Sequence, residues 1–152
     1  MKSQLPSQAT LDVFMLFIQT AHVVLKHADT ILSKAVGLSN SQFIVLKVLS
    51  YSGGTMTSAK LANRTGTRPH NITMVVDRME ANGLVTTERR GADRRFVYII
   101  LTEKGRSLLE EAMPAARKVV AKVTSTLAKP ELAELEKYLR TIRQNIQGIP
   151  GK

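Results

Sequence analysis

The stretch RPHNITMVVDRMEANGLVTTERRGADRRFVYIIL, residues 68–101, decides the fold of this chain. Four apolar residues in its first part recur at the three- and four-residue steps of a helix that buries one face. They are Ile72, Val75, Val76 and Met79. The dipeptide Asn82-Gly83 is a typical helix end, because glycine readily takes the left-handed conformation often found there. The pattern predicts an amphipathic helix over 68–82 with a polar outer face.

Two short runs of β-branched and aromatic residues follow this helix, at residues 84–88 and 96–101. The polar segment between them contains Gly91 and Asp93, so the two runs predict a two-stranded β-hairpin. Four arginines lie at the end of this hairpin. They are Arg89, Arg90, Arg94 and Arg95. A helix with a polar outer face, followed directly by such a hairpin, is the arrangement of a winged helix.

A second, shorter helix is predicted just before the first one. Residues 58–64 form this helix, and Thr57 is placed to cap its N-terminus. The tripeptide Thr65-Gly66-Thr67 then makes a tight turn into the helix over 68–82. Two helices joined by a short turn containing glycine form a helix-turn-helix, whose second helix enters the DNA major groove.

The charge of the chain agrees with a nucleic-acid partner. The sequence has 22 Lys and Arg against 12 Asp and Glu, a net charge of +10. Ten of these basic residues and only five of the acids lie between Lys60 and Arg106, so the excess is concentrated on the predicted helix-turn-helix and hairpin. With 152 residues and 43% hydrophobic content, the chain is long enough for one ordinary domain with a core.

Several classes of function find no support in the sequence. There is no cysteine, which excludes disulfides, thiolate zinc sites and thiol-based oxidant sensing. No Ser-His-Asp arrangement, metal-ligand cluster or phosphate-binding loop is present, so we expect no enzyme activity, no cofactor and no metal. Polar residues interrupt the apolar stretches near the N-terminus, and no secretion signal is visible. We therefore expect a cytoplasmic protein without a membrane-spanning segment.

Both ends of the chain carry helices with a heptad-like apolar pattern. The first covers 10–36 and the last segment covers 102–149. The N-terminal pattern consists of Leu11, Phe14, Ile18, Ala21, Leu25, Ala28, Leu32 and Ala35. Periodicity alone leaves two interpretations open, namely packing of these helices on each other within one subunit and a dimer interface built from two chains.

A series of short motifs resembles the MarR family of bacterial transcription regulators. The motifs, in order, are Gln42-Phe43-x-x-Leu46, Leu61-Ala62, Val76-Asp77-Arg78-Met79-Glu80-x-x-Gly83-Leu84-Val85, Asp93-Arg94-Arg95 and Leu101-Thr102-Glu103-Lys104-Gly105. The resemblance runs from about residue 10 to about residue 147. Each fragment alone is a weak signal, whereas the whole series at these spacings is a strong one.

The resemblance implies a mainly α (α+β) fold in a single domain over 1–152. A winged helix-turn-helix body over 39–101, with a two-stranded wing, would lie between dimerisation helices at 10–36 and 102–149. It also implies a sequence-specific, homodimeric DNA-binding regulator that is often released from DNA by a small ligand. This regulator would be a repressor or an activator, and the repressor is favoured. A twofold dimer reads a second half-site about one helical turn away, so we expect a pseudo-palindromic operator.

The candidate DNA contacts fall into two groups. The recognition helix supplies Arg68, Pro69, His70, Asn71, Thr73, Met74 and Arg78. Arg68 is the main candidate for reading a base, because arginine can donate two hydrogen bonds to guanine at once. The wing supplies Arg89, Arg90, Asp93, Arg94 and Arg95. An arginine-rich tip suits the narrow minor groove, and the resemblance implies that Asp93 braces Arg95.

A ligand site is implied by the resemblance alone. In the family it lies between the dimerisation helices and the winged-helix body, where the candidates here are Phe14, Phe17, Ile18, His22 and Phe43. All of them except His22 are more easily explained as core residues. A second class of function also remains open, an architectural dimer that binds DNA without strong sequence preference.

Overall fold

A computed structural model describes residues 5–90 and 96–147 of the chain. These residues form six helices and three strands. The helices are α1 (Gln8–Val36), α2 (Asn40–Tyr51), α3 (Ser58–Thr65), α4 (Pro69–Ala81), α5 (Glu103–Val123) and α6 (Lys129–Gln147), and the strands are β1 (Thr55–Thr57), β2 (Val85–Arg89) and β3 (Val97–Leu101). The predicted mainly helical fold with a small antiparallel wing is confirmed.

The chain divides into two compact units, of which the first ends at Val119 and the second begins at Val120. The first unit contains α1 to α4, the sheet and most of α5, and the second contains the end of α5 together with α6. The predicted single domain over 1–152 stays a prediction. Residues 148 and 149 of the predicted last helix lie outside the described residues.

Local sequence signals set the ends of α1 and α2. Gly37 ends α1 with a left-handed φ of 71°. Ser39 and Gln42 form a capping box at the start of α2, in which the side chain of each accepts the backbone N–H of the other. The Oδ1 of Asp29 on α1 accepts the backbone N–H of Asn40 at 2.8 Å, which satisfies a further free donor at the start of α2.

The sheet has the strand order β1-β3-β2, and both pairs are antiparallel. The predicted hairpin is confirmed as β2 and β3, but the sequence interpretation missed β1. Only three residues long, β1 has no periodicity of its own. It exists because Thr55 lies opposite Ile100 of β3, a residue 45 positions later in the chain.

The core of the first unit lies under α4 and the sheet. Ile72, Val76 and Met79 are buried as predicted, and Val75 is half-buried beside them. They pack with buried side chains from α1, α2, α3, the strands and α5. The largest of these are Leu32, Leu38, Leu46, Leu49, Leu61 and Ile99. The same core therefore holds the buried face of α4 and the base of the hairpin.

The N-terminal part of α1 exposes apolar side chains on two sides. They include Leu11, Val13, Phe14, Leu16 and Val23, and Val13 and Val23 are each 68% exposed. Among the described helices, α1 is long and apolar enough to cross a membrane by length and composition alone, with a mean hydropathy of 1.4. An apolar helix of a soluble protein meets the same criterion, so the prediction of a chain without a membrane-spanning segment stays a prediction.

Candidate nucleic-acid interface

The polar outer face of α4 begins at the turn that joins it to α3. Gly66 ends α3 with a φ of 68°, and its backbone N–H bonds the carbonyls of Ala62 and Asn63. The N–H of Thr67 also bonds the carbonyl of Ala62, at 3.0 Å. These bonds hold α3 and α4 in a fixed arrangement, so the predicted helix-turn-helix is present.

Arg68 lies at the N-cap position of α4 with an extended backbone, and its side chain makes no capping hydrogen bond. Pro69 follows at the first helical position, where its missing N–H removes no helix bond. The predicted recognition residues are all exposed: Arg68, Pro69, His70, Asn71, Thr73, Met74 and Arg78. The hydroxyl of Thr73 donates to the carbonyl of Pro69 at 3.1 Å, so its oxygen remains available mainly as an acceptor.

The base of the wing carries Arg89 and Arg90, both exposed. The Arg90 guanidinium forms an ion pair with the carboxylate of Glu88 and lies 5.4 Å from the centre of the Tyr98 ring. Arg90 is thus held against its own hairpin, whereas the sequence interpretation made it a direct groove or phosphate contact. The predicted contacts Asp93, Arg94 and Arg95 lie outside the described residues, so their roles stay predictions.

Two polar side chains that are not among the candidate DNA contacts connect α4 to the elements that follow. The carboxylate of Glu80 accepts two bonds from Thr87 of β2, one from the backbone N–H at 2.7 Å and one from the hydroxyl at 2.9 Å. The hydroxyl of Thr102 donates to the carbonyl of Gly83 at 2.7 Å and accepts the N–H of Gly105 at 3.0 Å. Both residues lie in the family motifs quoted above, and this position in the motifs was the sequence feature that could have identified them.

A cleft of about 390 Å³ lies between α4 and the sheet. Its apolar lining comes from Val76, Val97 and Ile99, and its charged lining comes from Asp77, Glu88 and Arg89. Two carboxylates against one guanidinium leave the lining with a net negative charge, which does not favour a phosphate group. The candidate contact surface is therefore the exposed side of α4 and the wing.

The five candidate ligand residues do not share one environment. Phe43 packs against the core and Ile18 is half-buried, whereas Phe14 is 57% exposed and His22 is also exposed. Neither Phe14 nor Phe17, which is 38% exposed, is buried in the single chain, so the core interpretation fails for both residues within one subunit. The aromatic side chains on α1 face solvent in the single chain because no other described element covers them.

Comparison with known proteins places this architecture in a family. The model described as "MarR family" matches residues 36–95. The uncharacterized HTH-type transcriptional regulator YkoM of Bacillus subtilis (strain 168) is 32% identical over 103 residues, which cover 68% of this chain and 66% of YkoM. The transcriptional repressor MprA of Escherichia coli (strain K12) is 28% identical over 110 residues, which cover 72% of this chain and 62% of MprA. The alignments thus span less than two thirds of each curated relative.

A solved structure extends the similarity to the whole fold. The organohalide-sensing transcriptional regulator RdhR-CbdbA1625, in its 2,4-dichlorophenol-bound form, has a TM-score of 0.83 at 25% identity, and the alignment covers 100% of this chain and 92% of that one. These relatives are transcriptional regulators, not enzymes. Matched motifs, family model and fold agree, and the chain belongs to the MarR family of winged-helix transcriptional regulators.

Proposed function

We propose that this protein is a homodimeric repressor that binds a pseudo-palindromic DNA operator and leaves it when a small molecule binds. The observation that carries the proposal is the row of exposed polar side chains along α4. Arg68, His70 and Asn71 lie at its N-terminal end, the end that points into the major groove in helix-turn-helix complexes. The net charge of the chain, +10, also favours binding to the negatively charged DNA backbone.

Within this surface the residues would have different tasks. Arg68 would read a guanine through two hydrogen bonds, which discriminates against other bases by about 1–3 kcal/mol. His70, Asn71 and Thr73 would contact bases or phosphates close to it. Arg78, one turn from the C-terminal end of α4, would hold a phosphate. Arg89, Arg94 and Arg95 would bring the wing to the minor groove, with Asp93 bracing Arg95.

The dimer is supported by apolar surface that the single chain leaves exposed. In α1, Phe14 and Leu25 are 57% and 48% exposed, and in α6, Leu139 and Ile146 are 41% and 66% exposed. Soluble monomers rarely have several large exposed apolar side chains along one helix, whereas dimer interfaces bury such side chains. A twofold dimer would cover these helices and present two copies of α4 to two half-sites. The same burial would account for the high mean hydropathy of α1 without a membrane.

Repression and ligand release are supported by named relatives. MprA is a transcriptional repressor, and RdhR-CbdbA1625 is an organohalide sensor with a bound dichlorophenol. In this chain the candidate site would be formed by Phe14, Phe17, Ile18, His22 and Phe43. Three aromatic rings and one aliphatic side chain suit a small apolar molecule, and His22 offers a single polar group to orient it.

The test is a binding titration against the intergenic DNA beside this protein's own gene and against a shuffled duplex, at two salt concentrations. We expect tight binding to the native duplex, weaker binding to the shuffled one, and a log–log salt slope near −0.9 for each phosphate neutralised. Equal and steeply salt-dependent binding to both duplexes would call for a second experiment, selection of binding sequences from random DNA. If the selected sequences also bind no more tightly than shuffled DNA, the proposal of a specific regulator is rejected in favour of an architectural binder.

Arg68→Ala tests the assignment of base reading. We expect relaxed preference at one base position in each half-site and a loss of about 1–3 kcal/mol on the native duplex only. Arg117→Ala is the matched control, because it removes the same charge from an exposed position on α5. If Arg68→Ala and Arg117→Ala weaken binding to both duplexes equally, Arg68 contributes only charge and does not read sequence.

A further inference from the structure

The carboxylate of Glu80 joins the last turn of α4 to the middle of β2. Its Oε1 accepts the backbone N–H of Thr87 at 2.7 Å, and its two oxygens lie 2.9 and 3.1 Å from the Thr87 hydroxyl, which donates to them. Glu80 is exposed and Thr87 is half-buried, so these bonds lie at the surface. We refer to this arrangement as the Glu80 clamp.

The clamp takes the place of a missing neighbouring strand. In the described sheet β3 is central and β2 lies at one edge. An edge strand presents backbone N–H groups that no further strand can accept. The N–H of Thr87 points at Glu80, so the carboxylate satisfies one of these groups with a charge-assisted bond. An acidic side chain that only increased solubility would point into solvent, whereas Glu80 accepts a hydrogen bond from the backbone of β2.

The clamp also adds a second fixed point between α4 and the hairpin. The first is the turn itself. There the N–H of Leu84 donates to the carbonyl of Met79 at 2.9 Å, and the N–H of Gly83 donates to the carbonyl of Glu80, also at 2.9 Å. A turn alone fixes where β2 begins. A further bond at Thr87, three residues beyond Leu84, fixes the direction in which β2 leaves α4, and Arg89 follows two residues later on the same strand.

We infer that Glu80 is a positioning residue for DNA binding, which fixes the angle between α4 and the arginine-bearing wing without contacting DNA itself. The inference rests on the proposed DNA-binding function. It reverses the ordinary electrostatic expectation. Removing an exposed acid from a DNA-binding surface normally strengthens binding, because the acid repels phosphate. If Glu80 positions the wing, its removal weakens binding instead.

The first experiment compares Glu80→Ala, Glu80→Gln and Glu110→Ala in DNA titrations on whichever duplex the unaltered protein binds most tightly. We expect Glu80→Ala to lower the DNA affinity about tenfold, because the substitution removes a hydrogen bond to a charged group. Glu80→Gln keeps one acceptor oxygen and should lose less, about threefold. Glu110→Ala removes an exposed acid from α5 and should leave affinity unchanged or slightly higher. Tighter binding by Glu80→Ala would overturn the inference.

A double-mutant cycle separates positioning of the wing from a general loss of stability. In a protein that carries Arg95→Ala, the wing contributes less, so adding Glu80→Ala should cost less than about twofold. In a protein that carries Arg68→Ala, the tenfold loss should persist. Equal losses in both backgrounds would overturn the inference, because Glu80 would then act through the helix or through overall folding.

Amide hydrogen exchange at Thr87 gives a test that needs no DNA. The Thr87 N–H should exchange faster in Glu80→Ala than in the unaltered protein, while the amides of Ile72 and Val76 in α4 keep their protection. Unchanged exchange at Thr87 would show that the clamp is absent and would overturn the inference. A protein that shows the clamp but binds native and shuffled duplexes equally would instead contradict the proposed operator specificity.

Discussion

Replacing Gly105 with alanine tests how closely α5 approaches the junction between α4 and the wing. A Cβ at this position would overlap the carbonyl oxygen of Leu84 and lie 2.8 Å from the Cδ1 of Leu101. The Leu84 carbonyl cannot rotate away as a side chain would. It also accepts the N–H of Thr102 at 3.2 Å, so any movement of the backbone disturbs that bond as well.

The sign of the effect is opposite to the usual one. Glycine to alanine inside a helix normally stabilises a protein by about 0.5–1 kcal/mol. Overpacking against a fixed neighbour costs about 1–3 kcal/mol. Because the neighbour at Gly105 is backbone, we take the upper part of that range and expect a net loss near 2 kcal/mol. For a chain of this length the corresponding fall in Tm is about 4–8 °C.

The assay is thermal and urea unfolding followed by circular dichroism at one fixed protein concentration, since self-association makes the Tm depend on concentration. Ser107→Ala is the control, an exposed position two residues further along α5. It should change the free energy of unfolding by no more than about 0.5 kcal/mol. A Gly105→Ala protein as stable as the unaltered one would refute the steric argument.

Two further predictions concern other hydrogen bonds. Thr102→Val keeps the shape of the side chain but removes its hydrogen bonds to Gly83 and Gly105. We therefore expect the free energy of unfolding, measured in urea, to fall by about 1–2 kcal/mol. A fall of less than about 0.5 kcal/mol would contradict the capping role of Thr102. The carboxylate of Glu134, which accepts the Tyr138 hydroxyl bond at 2.7 Å, raises the pKa of Tyr138, so this phenol stays protonated to higher pH than an ordinary tyrosine. Glu134→Gln should lower the pKa, which spectrophotometric titration of the phenolate can measure, and an unchanged titration curve would show that the two side chains do not interact in solution.

Features determined by neighbouring residues were predictable from the sequence. The capping box of Ser39 and Gln42 and the helix ends at Gly37 and Gly66 depend on contacts within a few positions, so the pattern of residue types contains them. The buried face of α4 was also predictable, because helical periodicity alone separates its apolar and polar sides. For the same reason the exposure of Arg68 on the candidate DNA surface followed from the sequence.

Features determined by distant partners were not predictable in this way. Strand β1 depends on β3, and the clamp between Glu80 and Thr87 depends on the path of the intervening turn. Periodicity found the apolar pattern of α1 that includes Phe14, but it did not show that Phe14 remains exposed in the single chain. Each of these features depends on which surfaces meet in three dimensions, and the local pattern of residue types does not contain this information.

The pairing of β1 with β3 has a practical consequence for protein engineering. The N–H of Leu101 bonds the carbonyl of Gly54 at 2.8 Å, and Thr55 lies opposite Ile100. The block over 54–101, which contains both helices of the helix-turn-helix and the wing, therefore begins and ends at the same place. A chimera that exchanges this block for that of another regulator has to match the host backbone at one junction. Proteins accept insertions most readily at sites where the two ends of the inserted block are adjacent. The chain therefore has a natural boundary for the exchange of its winged helix-turn-helix block.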